Sequence, residues 1–252
     1  MTDTENKLAD RSDEEKMITA LRQFGEIDEG TNKICSEKSP EFLQEVIESK
    51  KYFPLIWLTI RVHTRVWVSK IEEIANTINR LYSHFPNLAI IFDGWGRLDI
   101  EDSHSEMMIE KEKEIVENIK QLIPSQAKTY SAIGCKNYEK AVCAREVDVF
   151  IAPEGAGLVF LTWLANKRGV VHANKIHSSL HGFWTNREEA ASVFFVPANR
   201  VIDDEKESYH NFRNYDFDWQ IVYREAVKVI FDNKNNEITG AKIQNYPFEK
   251  NC

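Results

Sequence analysis

Two short segments carry residue types suited to binding phosphate. The first, Pro153-Glu154-Gly155-Ala156-Gly157-Leu158, sets two glycines one residue apart behind an acid. Glycines let a backbone come close to a ligand, and a helix opening just after them would turn unpaired N–H groups and a positive dipole end toward an anion. Glu154 is placed to accept hydrogen bonds from ribose hydroxyls. The plainer use of the same residues is a tight strand-to-helix turn in which the glycines only pack. The second segment, Arg61-Val62-His63-Thr64-Arg65, offers two guanidinium groups and an imidazole within five residues. Guanidinium matches phosphate oxygens through paired hydrogen bonds, so this segment would complete a diphosphate clamp. Its plainer use is pairing with surface carboxylates of an acidic chain. Arg97 and Lys136 are further, weaker cationic candidates.

Other chemistries lack their residues. A nicotinamide fingerprint needs G-x-G-x-x-G directly after the first strand of its unit, where this chain has arginines. A P-loop is absent, and so is the G-x-S-x-G turn of serine hydrolases. His172, His177 and His181 fall in an Asn/Ser/Gly-rich stretch and read as ordinary polar residues, so no metal site and no cofactor is expected. The four cysteines (Cys35, Cys135, Cys143, Cys252) have no C-x-x-C spacing and read as free thiols.

The elements that must position these segments follow from hydrophobic period. Leu55-Ile56-Trp57-Leu58-Thr59-Ile60 is a continuous apolar run, as in a strand buried on both faces. Ser69 and Glu72 read as a capping box for a helix whose Ile71, Ile74, Ala75, Ile78 and Leu81 recur at helical spacing. Leu88 to Phe92 is a second buried strand, and Ser103-x-x-Glu106 opens a long charged helix that ends before Pro124. A strand at 129–133, a helix at 138–145, a strand at 147–152, a helix at 157–166 and a strand at 170–172 continue the alternation. The spacing predicts an α/β fold: a doubly wound, mostly parallel, Rossmann-like sheet with right-handed crossovers. In such a sheet ligands gather beyond the carboxyl ends of the strands, where both phosphate-binding segments fall.

Three regions are expected. Residues 1–50 hold thirteen acids and two short helices, an acidic appendage. Residues 51–200 form the Rossmann-like domain. Residues 201–252 pack on it, as loop followed by a helix from Trp219 to Phe231 or by a hairpin returning over 238–243. The net charge of −8 speaks against a chain-wide attraction to nucleic acid. No apolar run is long enough to span a bilayer and Met1 opens no signal segment, so a cytoplasmic location is expected.

The order strand, basic loop, helix, strand, long helix, strand, helix, strand, then Glu154-Gly155-Ala156-Gly157-Leu158, resembles the nucleotide-sugar-binding lobe of GT-B type glycosyltransferases over roughly residues 53–200. The resemblance implies that Gly155, Ala156 and Gly157 take the donor diphosphate and that Leu158 closes the motif. It further implies that Arg61 or Arg65 neutralises the leaving phosphates without a metal, and that His172 sits near the donor. It also implies a glycan acceptor, polysaccharide assembly as a setting, and a second lobe or partner protein, because only one lobe fits this length. The chain departs from the pattern at Thr162, where retaining members carry a second glutamate, and at Glu154, where a related inverting group carries histidine. The alternative is a non-catalytic α/β module, docking a partner through the acidic helices or through Trp184 and Trp219.

Overall fold

The computed structural model describes residues 51–97, 102–180, 184, 191–206 and 209–237; the expected appendage over 1–50 and the returning hairpin strand lie outside them. The chain alternates strand and helix: β1 (Leu55–Thr59), α1 (Lys70–His84), β2 (Ala89–Asp93), α2 (Ser103–Leu122), β3 (Lys128–Ser131), α3 (Asn137–Glu146), β4 (Val149–Pro153), β5 (Gly169–His172) and β6 (Val193–Phe195). All six strands pair in parallel, in the order β3-β2-β1-β4-β5-β6. The fold is thus a doubly wound α/β sheet. The first three strands step outward one way; β4 then returns beside β1 and the chain steps outward the other way. Between β1 and β4 lies the switch point, the place where ligands collect in sheets of this kind.

Strand period two divides the apolar runs between two cores. Ile56, Leu58, Ile90, Phe92, Ile151 and Val170 face α1, α2 and the last helix, α4 (Trp219–Glu237). Leu55, Trp57, Ala89, Ile91, Phe150 and Val171 face Cys143 and Ala144 of α3 together with Leu161 and Trp163. Burial on both faces is why these strands read as unbroken apolar runs.

Four local expectations are corrected. Ser69 does not cap α1: its hydroxyl donates to Asp216 Oδ1 at 2.6 Å. At α2 the cap is Asp102, whose carboxylate accepts from His104 and Ser105 N–H at 3.1 Å each, satisfying two end donors and the positive helix end at once. The helix expected over 157–166 is a six-residue π-helical stretch, Val159–Leu164. Its Val159, Phe160, Thr162 and Trp163 are crowded at χ1 against a regular α turn, and Ala165 N–H reaches back to Phe160 O at 3.1 Å. Past residue 200, a loop in the sequence reading, β7 (Ile202–Asp203) and β8 (Tyr215–Asp216) pair antiparallel, and α4 is a helix rather than a hairpin arm. Among the described residues no helix is long and apolar enough to cross a membrane.

Candidate anion-binding site

The carboxyl ends of β1 and β4 bring the two segments face to face. A Cβ built on Gly155 would stand 2.5 Å from Arg61 Nη2 and 3.7 Å from Arg65 Nη2, so both guanidinium groups lie on this glycine. Gly155 also has φ +151°, so close approach and backbone both require glycine. Arg65 itself has φ +53°, an uncommon conformation for a side-chain-bearing residue.

Glu154 gathers the neighbouring polar groups. Its Oε2 accepts from Arg65 Nη1 at 2.7 Å and lies 2.9 Å from His177 Nδ1, while Trp184 Nε1 donates to Oε1 at 3.2 Å. Arg61 differs: its guanidinium makes no hydrogen bond or ion pair with any described residue. Burial holds its pKa below the ordinary arginine value; Tyr215 opposes that shift, Arg65 adds to it, and Glu154 and Glu112 oppose it. Arg61 is half-buried, and a cation partly withdrawn from water with no anion hydrogen-bonded to it is costly until one completes it.

A distant segment holds the arginine loop in place. Val66 N–H donates to Asn214 Oδ1 at 2.8 Å, Val68 N–H to Tyr215 O at 2.9 Å, and Tyr215 N–H to Val66 O at 3.0 Å. Trp67 stacks on Phe217 at 4.3 Å between ring centroids and donates its Nε1–H to Asp216 Oδ1 at 2.9 Å. Beneath Arg61, the buried His172 places Nδ1 2.7 Å from Tyr215 OH. Burial pushes the His172 pKa down to about 3, with Arg61 adding to the effect, and pushes that of Tyr215 up. The cavity left among Arg61, Trp67, His172 and Tyr215 is about 10 Å³, room for one water molecule.

Of the other sequence candidates, Ala156 and Gly157 are exposed, and a Cβ on Gly157 would meet nothing within 4 Å. Leu158 is buried, and its N–H turns inward to Gly155 O at 2.9 Å, as Val159 N–H does to Ala156 O at 3.1 Å. Those two donors are therefore spent within the turn, and a six-residue π-helical stretch supplies no long helix dipole; both expectations of the phosphate-facing helix are corrected. Glu154 is held by its own chain rather than free for ribose. Arg97 pairs with exposed Glu106 at 2.7 and 3.0 Å and does not join the crevice; Lys136 stands at the N-terminus of α3, where its main-chain N–H donates to Glu139 Oε2 at 2.7 Å. His181 lies outside the described residues, and among those described no three metal-ligating side chains gather.

Sequence reasoning missed two groups. His177 was legible only as one histidine of a polar loop. Glu112 is 2% exposed in the middle of α2, and its Oε2 accepts the Trp95 N–H at 2.5 Å. Burial pushes its pKa up to about 7; the Trp95 N–H restrains the rise, Asp93 adds to it, and Lys140 and Arg61 restrain it. Lys140 Nζ lies 2.7 Å from Asp93 Oδ1, closing a buried charge cluster under the Gly94-Trp95-Gly96 loop. The signal was there: Glu112 sits on the buried stripe of Ile109, Val116 and Ile119, where an acid is out of place.

No protein-family model matches the chain, and no curated protein matches it. Among solved structures it is similar to a glycosyl transferase family 9 protein from Veillonella parvula, at 12% identity and TM-score 0.47 over 75% of this chain and 50% of that one. It is also similar to an α,α-trehalose-phosphate synthase (UDP-forming) from Burkholderia xenovorans, at 11% identity and TM-score 0.37 over 86% and 46%. A third is the N-terminal domain of trehalose-6-phosphate phosphatase from Candida albicans, at 13% identity and TM-score 0.32 over 55% and 31%. The chain spans half or less of the length of each.

Proposed function

We propose that the crevice between β1 and β4 is the donor site of a glycosyltransferase-like domain and takes the diphosphate of a nucleotide sugar, with Arg61 as its main cation. One observation carries this reading: a guanidinium with no partner among the described residues lies on Gly155 at the switch point of the sheet. The open side of the loop, Ala156 and Gly157, is the way in. As the bond from sugar to phosphate breaks, negative charge grows on the departing diphosphate, and a donor fixed beforehand stabilises it by about 3 kcal/mol. The nucleotide-sugar class comes from the Glu154-Gly155-Ala156-Gly157-Leu158 resemblance, and the acceptor side of the cleft belongs to a second lobe or a partner.

The test is urea unfolding of the full chain with inorganic pyrophosphate, UDP-glucose and GDP-mannose, beside R61A. A ligand at a hundred times its Kd adds about 2.7 kcal/mol to stability. A gain that R61A abolishes supports the site, and a matched transfer assay with that sugar should fall about 100-fold in R61A. No gain with any of the three overturns it. That outcome favours the non-catalytic reading, for which the observation is that Arg65 already has Glu154 as counter-ion.

A further inference from the structure

Three atoms of this site meet pairwise: Arg65 Nη1 to Glu154 Oε2 at 2.7 Å, Arg65 Nη1 to His177 Nδ1 at 2.8 Å, and His177 Nδ1 to Glu154 Oε2 at 2.9 Å. A guanidinium only donates and a carboxylate only accepts. Nδ1 carries either a proton or a lone pair, so it satisfies one of its two neighbours and opposes the other. While Arg65 sits on Glu154, the carboxylate has its counter-ion and the imidazole serves best as acceptor from Arg65. The Asn211 backbone also favours the charged ring. The groups facing His177 among the described residues are thus Arg65 from the loop after β1, Glu154 from the loop after β4 and the Asn211 carbonyl from the segment before β8. Asn174 Oδ1 accepts its main-chain N–H at 3.1 Å.

We infer that His177 is a proton-coupled positioning residue of the anion site: an anion that draws Arg65 off Glu154 leaves that carboxylate to His177, which takes up one proton from solvent on Nδ1 and becomes its new counter-ion. The inference rests on the proposed anion site at Arg61 and Gly155 and adds Arg65, whose Nη2 also lies against Gly155, as a second ligand of the phosphate. At rest Glu154 occupies the arginine that the ligand needs; after the exchange, both arginines face the ligand while Glu154 stays neutralised. The present surroundings agree with the resting half. Burial and then Arg65 hold the His177 pKa below its ordinary 6.5, against Glu154 and Asn211, which favour the charged ring. Withdrawing Arg65 removes one opposing charge and leaves the two favouring ones. Because the bound state then holds the proton more tightly, affinity rises as pH falls between the bound and free midpoints, by up to about tenfold per pH unit, and is flat outside them.

The experiment is a ¹⁵N-histidine NMR titration of the full chain, with the His177 resonance assigned through H177Q. It is run on wild type, on wild type with saturating inorganic pyrophosphate, and on R65Q. Each ring nitrogen reports protonation of the histidine itself, so the titration of pyrophosphate does not interfere. The expected result is a midpoint below 6.5 in the free wild type, raised by at least about one pH unit in R65Q and with pyrophosphate. If R65Q does not fold, the pyrophosphate arm decides alone. An unchanged His177 midpoint beside a normal stability gain from pyrophosphate overturns the exchange and leaves the anion site standing. A midpoint raised in R65Q, with neither shift nor stability gain from pyrophosphate, overturns the anion site and the exchange with it.

Discussion

Replacing Glu112 by glutamine should change the pH dependence of stability in a direction the structure sets. In the unfolded chain this carboxyl titrates near the ordinary 4.5; in the fold, burial inside α2 and against Gly94 raises it to about 7. The folded state therefore holds the proton more tightly, and stability falls as pH rises between those two values. A midpoint displaced from 4.5 to about 7 makes an ionised Glu112 destabilising by about 3 kcal/mol above pH 7, and neutral in effect below pH 4.5. Glutamine keeps an oxygen for the Trp95 N–H and removes the titration. Urea denaturation of both proteins at pH 5 and pH 8 should give E112Q an advantage at pH 8 that is about 2–3 kcal/mol larger than at pH 5. An advantage equal at the two pH values would refute the reasoning: it would mean that Glu112 stays ionised, compensated by Lys140 and Arg61.

G155A and G157A should separate sharply. Alanine at 155 meets the Arg61 guanidinium and a φ of +151°, a cost of about 1–3 kcal/mol in urea unfolding, with loss of pyrophosphate binding as Arg61 is displaced. Alanine at 157 enters open space and should stay within about 0.5 kcal/mol of wild type. D216A leaves Trp67 Nε1 and the Ser69 hydroxyl without their acceptor; denaturation should show a loss of about 2–4 kcal/mol, and pyrophosphate affinity should weaken because the arginine loop loses its anchor.

The sheet was legible because burial on both faces leaves unbroken runs such as Leu55 to Thr59 that no helix period explains. The meeting of Arg61 with Gly155 was half legible. Both lie just past strand ends, and parallel strands put all such ends at one side, yet only the strand order sets β1 beside β4. What escaped was pairing across long stretches of chain. Glu154 read as free for a ligand because its partners, Arg65 and His177, stand 89 and 23 residues away, and no local period reports such contacts. Ser69 carried the right pattern for a helix cap, but its hydroxyl is turned away to donate to Asp216, 147 residues on. The π-helical stretch was missed because a Gly-x-Gly-Leu opening says how a turn begins and not how wide the next one will be.

The strands of the sheet are all made by residue 195, but the clamp on the arginine loop is not: its partners run from Asn214 to Phe217. A loop is being closed over some 150 residues, and the entropy of that closure must be met before Arg61 is held over Gly155. A chain emerging from synthesis would thus show its apolar strands before the 214–217 segment could hold the arginine loop. Under the proposed reading, affinity for an anion appears only after that segment is made, and a lesion there would be felt first as a failure of recognition.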